Sequence, residues 1–572
     1  MYIARVPNRS SPPAYLLRES YREGGKVKNR TLANLSHLPL EQIELMRRVL
    51  KGETLVSPSE AFSIGRSRPH GHVEIVLGVI RKLELDRMIA SRRSRQRDLV
   101  VAMIAQRLLF PCSKLATTRH WHTTTLAEEL GVADADENEL YAALDWLLGR
   151  QASIEQKLAK KHLNDGALVL YDVSSSYYEG RTCPLARYGH DRDGKRDRPI
   201  IVYGVLTDIE GRPVAVDVYP GNTGDPTTVP DQVTKLRERF ALSRVILVGD
   251  RGMLTQTQID TLKEHPELGW ISALRSGSIR RLMASGDLQR SLFDETNLAE
   301  IRSPEFPGER LMACYNPLLA DERGRKREEL LAATEKELAK LARQVSRRTK
   351  RPMGQTEIAL KAGRIVNRFK VAKHFELSIA DGVFDYARQA ASIEQESQLD
   401  GIYVIRTSEP DTELSADDAV RNYKRLAEVE QAFRSFKSID LLVRPIRHRT
   451  EAHVRAHIFV CLLAYYIQWH LKRAWAPLLY EDEQLPADRA TRDPVAPAKP
   501  SASAKRKKAT HRTADDVPVH SFGTLLAELA TRCRHTCLPG GGLAEARFTK
   551  LTDATPLQTK AFRLLGLKPT SH

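Results

Sequence analysis

The sequence predicts an α/β protein with a mixed-sheet core, an inserted subdomain and a mainly helical amino-terminal region. Three observations predict it. Between Ala167 and Arg275, three strand-like runs, a helix, a strand, a helix and another strand follow one another, an order that builds a mixed sheet. Between 60 and 165, "VEIVLGVIRKLEL", "RDLVVAMIAQRLLF" and "NELYAALDWLLGRQASIEQKLAKKHL" carry apolar residues at helical spacing. Residues 276–399 then break the strand–helix alternation with a long charged helix, "REELLAATEKELAKLARQVSRRTKRP".

Element by element, residues 1–55 place "GG" between two alternating runs, which reads as a hairpin. Residues 56–165 form the helical region, where Pro111 closes the second helix. In the core, 166–275, "ALVLYDVSS" opens with a short β-branched run, and "IEGR" joins "PIIVYGVLTD" to "PVAVDVYPG" as a second hairpin. The core resumes at 400–480 with "GIYVIRT" and the buried-helix pattern "AHVRAHIFVCLLAYYIQWHLKRAW". Residues 481–515, rich in Ala, Pro, Ser and Lys, predict a disordered basic linker, and 516–572 a helical tail.

At 572 residues the chain is too long for one compact domain. A formal charge of +17 and a pI near 9.5 favour a polyanionic partner, most simply nucleic acid. No apolar run reaches the roughly 18–20 residues that a membrane span needs. Six scattered cysteines show no disulfide framework, so the expected setting is the reducing cytoplasm. Cys533, His535 and Cys537 lack a second matching pair, so no structural zinc is expected.

Three carboxylates stand out. Asp172 and Asp250 are read as ending the first and fourth core strands, where ligands of open α/β sheets gather. Each could equally cap the following turn. In "YKRLAEVEQAFRSFK", Tyr423, Glu430 and Lys437 recur every seven residues, nearly two helical turns, and share one stripe. Arg434 flanks that stripe. Glu428 lies about 200° round the helix and points elsewhere. An ordinary ion pair between Glu430 and Arg434, worth about 0.3–0.5 kcal/mol, is the alternative role for the acid.

Taken together these residues resemble the insertion-sequence transposases of the superfamily founded on insertion sequence four. Its Tyr-Arg-Glu-Lys signature is matched by Tyr423, Glu430 and Lys437. Leu426 occupies the arginine position, Arg425 stands one residue early and Arg434 lies on the right face. "YDVSSSYYEG", "YGHDRDGKRDRPIIVYGVLTDIEGRPV", "YPGNTGD" and "VGDRGM" resemble the first half of the same catalytic domain. The resemblance implies a ribonuclease-H-like core with Asp172, Asp250 and Glu430 as catalytic and metal-binding acids. It implies Mg²⁺ or Mn²⁺, two ions, and DNA-backbone contacts from Tyr423, Arg425, Arg434 and Lys437. It further implies a bacterial, nucleoid-associated enzyme that binds the double-stranded ends of its own element, cleaves and rejoins DNA, and works as a homodimer. A nuclease or resolvase on the same fold is the rival enzyme, and a decayed DNA-binding protein the rival without activity. The basic segment "RRSRQRD" at 92–98 is expected to help residues 1–165 recognise element ends.

Overall fold

The computed structural model of the chain describes residues 1–9, 11–53, 61–539 and 547–570, without the side chains of 438 and 439. The last two residues of the expected 1–55 segment lie outside the described residues. Two compact units emerge: Met1–Arg68 joined by Cys533–Asp553, and Pro69–Arg532 joined by Ala554–Pro569.

In the first unit, β1 (Tyr2–Val6), β2 (Ala14–Glu23) and β3 (Lys26–Asn34) form an antiparallel sheet. Gly24 and Gly25 both take left-handed φ, +59° and +80°, as the tight turn between β2 and β3 requires. The Leu40–Leu50 helix and β4 (Phe62–Pro69) follow.

The second unit is built on β5 (Ala167–Tyr177), β6 (Ile200–Asp208), β7 (Pro213–Pro220), β8 (Val245–Val248), β9 (Leu268–Ala273), β10 (Leu298–Ile301) and β11 (Arg310–Tyr315). A separate hairpin, β12 (Phe375–Ala380) with β13 (Val383–Arg388), precedes the last core strand, β14 (Ile402–Thr407). The large sheet runs β10-β11-β14-β9-β8-β5-β6-β7. β5, β6 and β7 are antiparallel neighbours, whereas β5, β8 and β9 run parallel. Every residue of β6 is buried, as its unbroken apolar run demands of a strand covered on both faces. Gly204 on β6 is required there, because a Cβ would stand 2.2 Å from the Tyr171 hydroxyl.

The insertion behaves differently from expectation. Its strands β10 and β11 join the core sheet through β14, so residues 276–399 are not wholly a separate body. The Pro317–Ser346 and Gln355–Phe369 helices, with β12 and β13, enclose their own small core around Leu338, Ile358 and Phe375. The helices before Ala167 also share one continuous core with the sheet. The Glu451–Trp475 helix is buried between the Arg95–Leu109 and Glu137–Leu148 helices and β7.

The carboxyl-terminal third departs furthest. Residues 481–515, expected as a disordered linker, contain the Leu485–Thr491 and Ala502–Thr510 helices. Composition misled because alanine and lysine also favour helix, and because the charges are neutralised locally. Lys507 is buried and donates to the Ala476 and Glu481 carbonyls at 2.7 and 2.9 Å while pairing with Glu483. Val495 is 1% exposed. The expected helical tail supplies β15 (Cys533–Pro539), which lies between β4 and β16 (Phe548–Leu551) in the first unit, and the Phe522–Ala530 and Pro556–Leu564 helices, which belong to the second. No single described helix is long and apolar enough to cross a membrane.

Candidate active site

Asp172 does not end its strand. β5 runs on to Tyr177 because it stays paired with β6 as far as Tyr177 opposite Ile200. On its other side β8 stops at Val248, opposite Leu170. Asp172 therefore stands two residues beyond the last parallel pairing, and Asp250 stands two residues beyond Val248. The same register, with the two-residue alternation of strands, puts both acids on one face at the mouth between neighbouring strands roughly 4.8 Å apart. Beyond Val248, β5 has no β8 partner, and Asp172 is partly exposed there between buried neighbours.

Each aspartate also accepts from nearby backbone amides, Asp172 within its strand and Asp250 in the turn that follows β8. Asp172 Oδ1 accepts from the Val173 amide at 2.7 Å. Asp250 Oδ1 accepts from the Gly252 and Met253 amides at 3.0 and 2.7 Å. For Asp250 the turn-capping role and an acid role are thus compatible, and in both aspartates these bonds occupy Oδ1 and leave Oδ2.

The third acid comes from the Leu426–Arg434 helix, which packs on β5 and β6 through Val429, Ala432 and Phe433. Phe433 meets the Tyr203 ring edge-on at 5.8 Å. Glu430 is exposed and has neither a hydrogen bond nor an ion pair among the described residues. The ion pair with Arg434 that the sequence allowed does not form. Arg434 is likewise exposed and without a partner among the described residues.

Electrostatics tie the three acids together. The Asp172 carboxyl is pushed up to about 7, chiefly by burial, with the Val173 amide and Arg192 opposing the rise and Asp250 and Glu430 adding to it. Tyr423 is pushed up to about 12 by burial and then by Asp250, with Glu430 and Asp172 adding to the effect and Arg251 opposing it. The tyrosine hydroxyl therefore sits within electrostatic reach of all three acids.

Two of the expected DNA contacts are engaged elsewhere. Lys437 bonds Asp193 at 3.1 Å, and Arg444 bonds the same oxygen at 2.5 Å. Its seven-residue spacing from Glu430 fails because Ser435–Ile439 is wound as a π-helix, which turns Lys437 away from the Glu430 stripe. Arg425 bonds the Ile209 carbonyl and Glu210 at 3.0 and 2.9 Å. In the "RRSRQRD" segment, Arg93 pairs with Asp98, Arg95 with Glu139 and Asp134, and Arg97 with Asp86 and Asp98, while Arg92 is exposed.

Sequence reasoning missed Asp193. It is 1% exposed and its Oδ2 accepts from the Tyr177 amide at 3.1 Å, fastening the loop 188–198 over the end of β5. Arg192 on that loop pairs with Asp225 and lies within electrostatic reach of Asp172. Its mixed charges, "HDRDGKRD", were the only available signal. Lys437→Ala is expected to destabilise the core by about 1–3 kcal/mol, because it removes one of two cations from a buried carboxylate. Denaturant unfolding of the two forms measures this; an unchanged midpoint would remove Lys437 from the loop's anchorage.

Asp172, Asp250 and Glu430 are hard oxygen donors of the kind divalent ions prefer. No three carboxylate, histidine or cysteine side chains among the described residues already surround one point. That is compatible with an ion of the magnesium type, held by one or two carboxylates and completed by water and substrate phosphates. The raised Asp172 carboxyl supports the fit, since a cation there would relieve the unfavourable charge. Both ring nitrogens of His535, between Cys533 and Cys537, are engaged by Ser67 and Thr552 at 2.8 and 2.9 Å.

Residues 168–467, just over half of the chain, match the family model described as the transposase DDE domain, and the chain belongs to that family. Residues 3–60 match the model described as the IS1634 family transposase, N-terminal domain. The protein is a DDE transposase of an insertion sequence, an enzyme that cleaves and transfers DNA strands, and its family uses divalent metal ions. No curated protein matches the chain. Among solved structures it is similar to a piggyBac transposase synaptic complex with hairpin DNA, at 11% identity over 77% of this chain and 87% of that one, with a TM-score of 0.33. It is also similar to a Mos1 transposase paired-end complex with the left transposon end, at 12% identity over 43% and 70%, with a TM-score of 0.14.

Proposed function

We propose that Asp172, Asp250 and Glu430 are the catalytic acids and that the core is ribonuclease-H-like. The observation that carries this reading is the β5–β8 register, which sets two aspartates level just past the last parallel pairing, beside a helix that carries a glutamate unpartnered among the described residues. The sheet order β7-β6-β5-β8-β9, three antiparallel strands followed by two parallel ones, supports the fold assignment.

In this reading the three acids hold two Mg²⁺ or Mn²⁺ ions, which would activate the attacking oxygen and stabilise the departing 3′ oxygen of an in-line displacement. Asp172 loses its proton as the site becomes positively charged. Tyr423 and Arg434 bracket the acids and orient the scissile phosphate, a contact that positions without reading sequence. Double-stranded element ends and a second copy of the chain are the partners, since two ends must meet. In the first unit, Arg22 and Lys26 flank the exposed β2–β3 turn and suit backbone phosphates.

The full chain, incubated with Mg²⁺ and DNA carrying the repeats that flank its own gene, is expected to nick at the repeat ends and join them to target DNA. Binding should weaken steeply with added salt as counterions are released. A chain that cuts without joining would make the protein a nuclease. One that shifts DNA and leaves it whole in either metal would overturn the catalytic assignment.

A further inference from the structure

The helix that carries Glu430 is held from behind by the segment 481–495. Its front, through Val429, Ala432 and Phe433, rests on the sheet. Its rear carries Glu428, which is half-buried and ion-paired with Arg489 on the Leu485–Thr491 helix. In the preceding Ala416–Lys424 helix, Lys424 Nζ donates to the Pro494 and Val495 carbonyls at 2.5 and 3.1 Å, and Arg421 donates to the Arg492 carbonyl at 3.1 Å. The β6–β7 turn closes the same side, where a Cβ on Gly211, at φ +81°, would stand 2.8 Å from Glu428 Cβ. A cavity of about 100 Å³, lined by Glu428, Arg489, Lys472 and Trp469 among others, separates the strap from the helix.

None of these ties touches Glu430, yet together they fix how the helix sits. A nine-residue helix resting on a sheet by one face can roll about its axis. With side-chain ends about 6 Å from that axis, a roll of about 10° moves a carboxylate by roughly 1 Å. Displacements of that size are enough to cost catalysis about a hundredfold.

We propose that residues 481–495 are a positioning strap of the active site, in which Arg489, acting through Glu428, and Lys424, acting through the Pro494 and Val495 carbonyls, set the roll of the helix and so the reach of Glu430. This rests on the reading of Glu430 as the third acid. The strap's basic residues are thereby assigned to the protein's own backbone and acids rather than to DNA.

The test uses the full chain with Arg489→Ala, Glu428→Ala, the charge-reversed pair Glu428→Arg with Arg489→Glu, and Glu430→Ala as reference. Mn²⁺ binding without DNA is measured by calorimetry, and amide hydrogen exchange is followed by mass spectrometry. Both single strap variants are expected to weaken Mn²⁺ binding about tenfold, the effect typical of losing an outer support. They should hasten exchange in 426–434 alone, and the reversed pair should restore both. If Glu430→Ala loses Mn²⁺ affinity while the strap variants keep the wild-type curve and exchange pattern, the strap proposal fails alone. Exchange that quickens throughout the second unit without recovery in the reversed pair also overturns it. If Glu430→Ala itself binds Mn²⁺ and cleaves DNA as wild type does, the third-acid reading falls and the strap's role with it.

Discussion

Replacing any one of Asp172, Asp250 or Glu430 by alanine is expected to lower strand cleavage by at least about a thousandfold while leaving affinity for the element ends within a few fold. A thousandfold corresponds to about 4 kcal/mol of barrier, a size suited to losing a ligand of ions that stabilise both the attacking and leaving oxygens. DNA affinity survives because it comes mainly from lysines and arginines, and none of the three substitutions removes one. The measurement is single-turnover cleavage of labelled end DNA, paired with a binding titration and a circular-dichroism check of folding. Glu430→Ala with wild-type turnover would move the third acid elsewhere. Glu428 is the nearest rival on the same helix, but its carboxylate is already held by Arg489 on the far side.

The second expected result is a pH dependence that follows Asp172. Its folded carboxyl is raised to about 7, above the usual value near 3.8, chiefly by burial. The folded protein without metal therefore binds this proton more tightly than the unfolded chain does. Metal-free stability is unaffected well below pH 4, falls as pH rises between about 4 and 7, and levels off above 7. At roughly 1.4 kcal/mol per pH unit, the loss is on the order of 4–5 kcal/mol. Asp172→Asn cannot ionise and is expected to escape it, so the variant should be the more stable form at pH 8 and indistinguishable at pH 4. Divalent metal should oppose the loss, because it replaces the proton, and apparent metal affinity should climb with pH up to about 7. Thermal unfolding across pH, with and without Mn²⁺, measures both. A wild-type curve parallel to that of Asp172→Asn would show that Asp172 is not the group whose charge the fold opposes.

The sequence by itself determined the family, the order of the core strands and three candidate acids. Those features are local or follow from short periodicities: apolar runs such as "RVILVGD" specify buried strands, and the hairpin "IEGR" fixes its neighbours. It also marked Glu430 as the acid on the signature stripe and Glu428 as facing away, because helical angle depends only on spacing.

What spacing could not supply is the partner of each side chain. Lys437 matched the signature by count, but the π-winding of Ser435–Ile439 and the buried Asp193, 244 residues earlier, redirect it. Arg425, Arg93 and Arg95 looked free until folding brought Glu210, Asp98 and Glu139 to them. Residues 481–515 looked disordered because composition reports average burial, whereas their order comes from a few bonds to Glu428, Lys424 and the Ala476 carbonyl. That Asp172 and Asp250 stand level was fixed only when β8 paired in parallel with β5 and stopped two residues short of both acids. Register between strands 78 residues apart depends on how the whole sheet packs, so tertiary structure alone decided it.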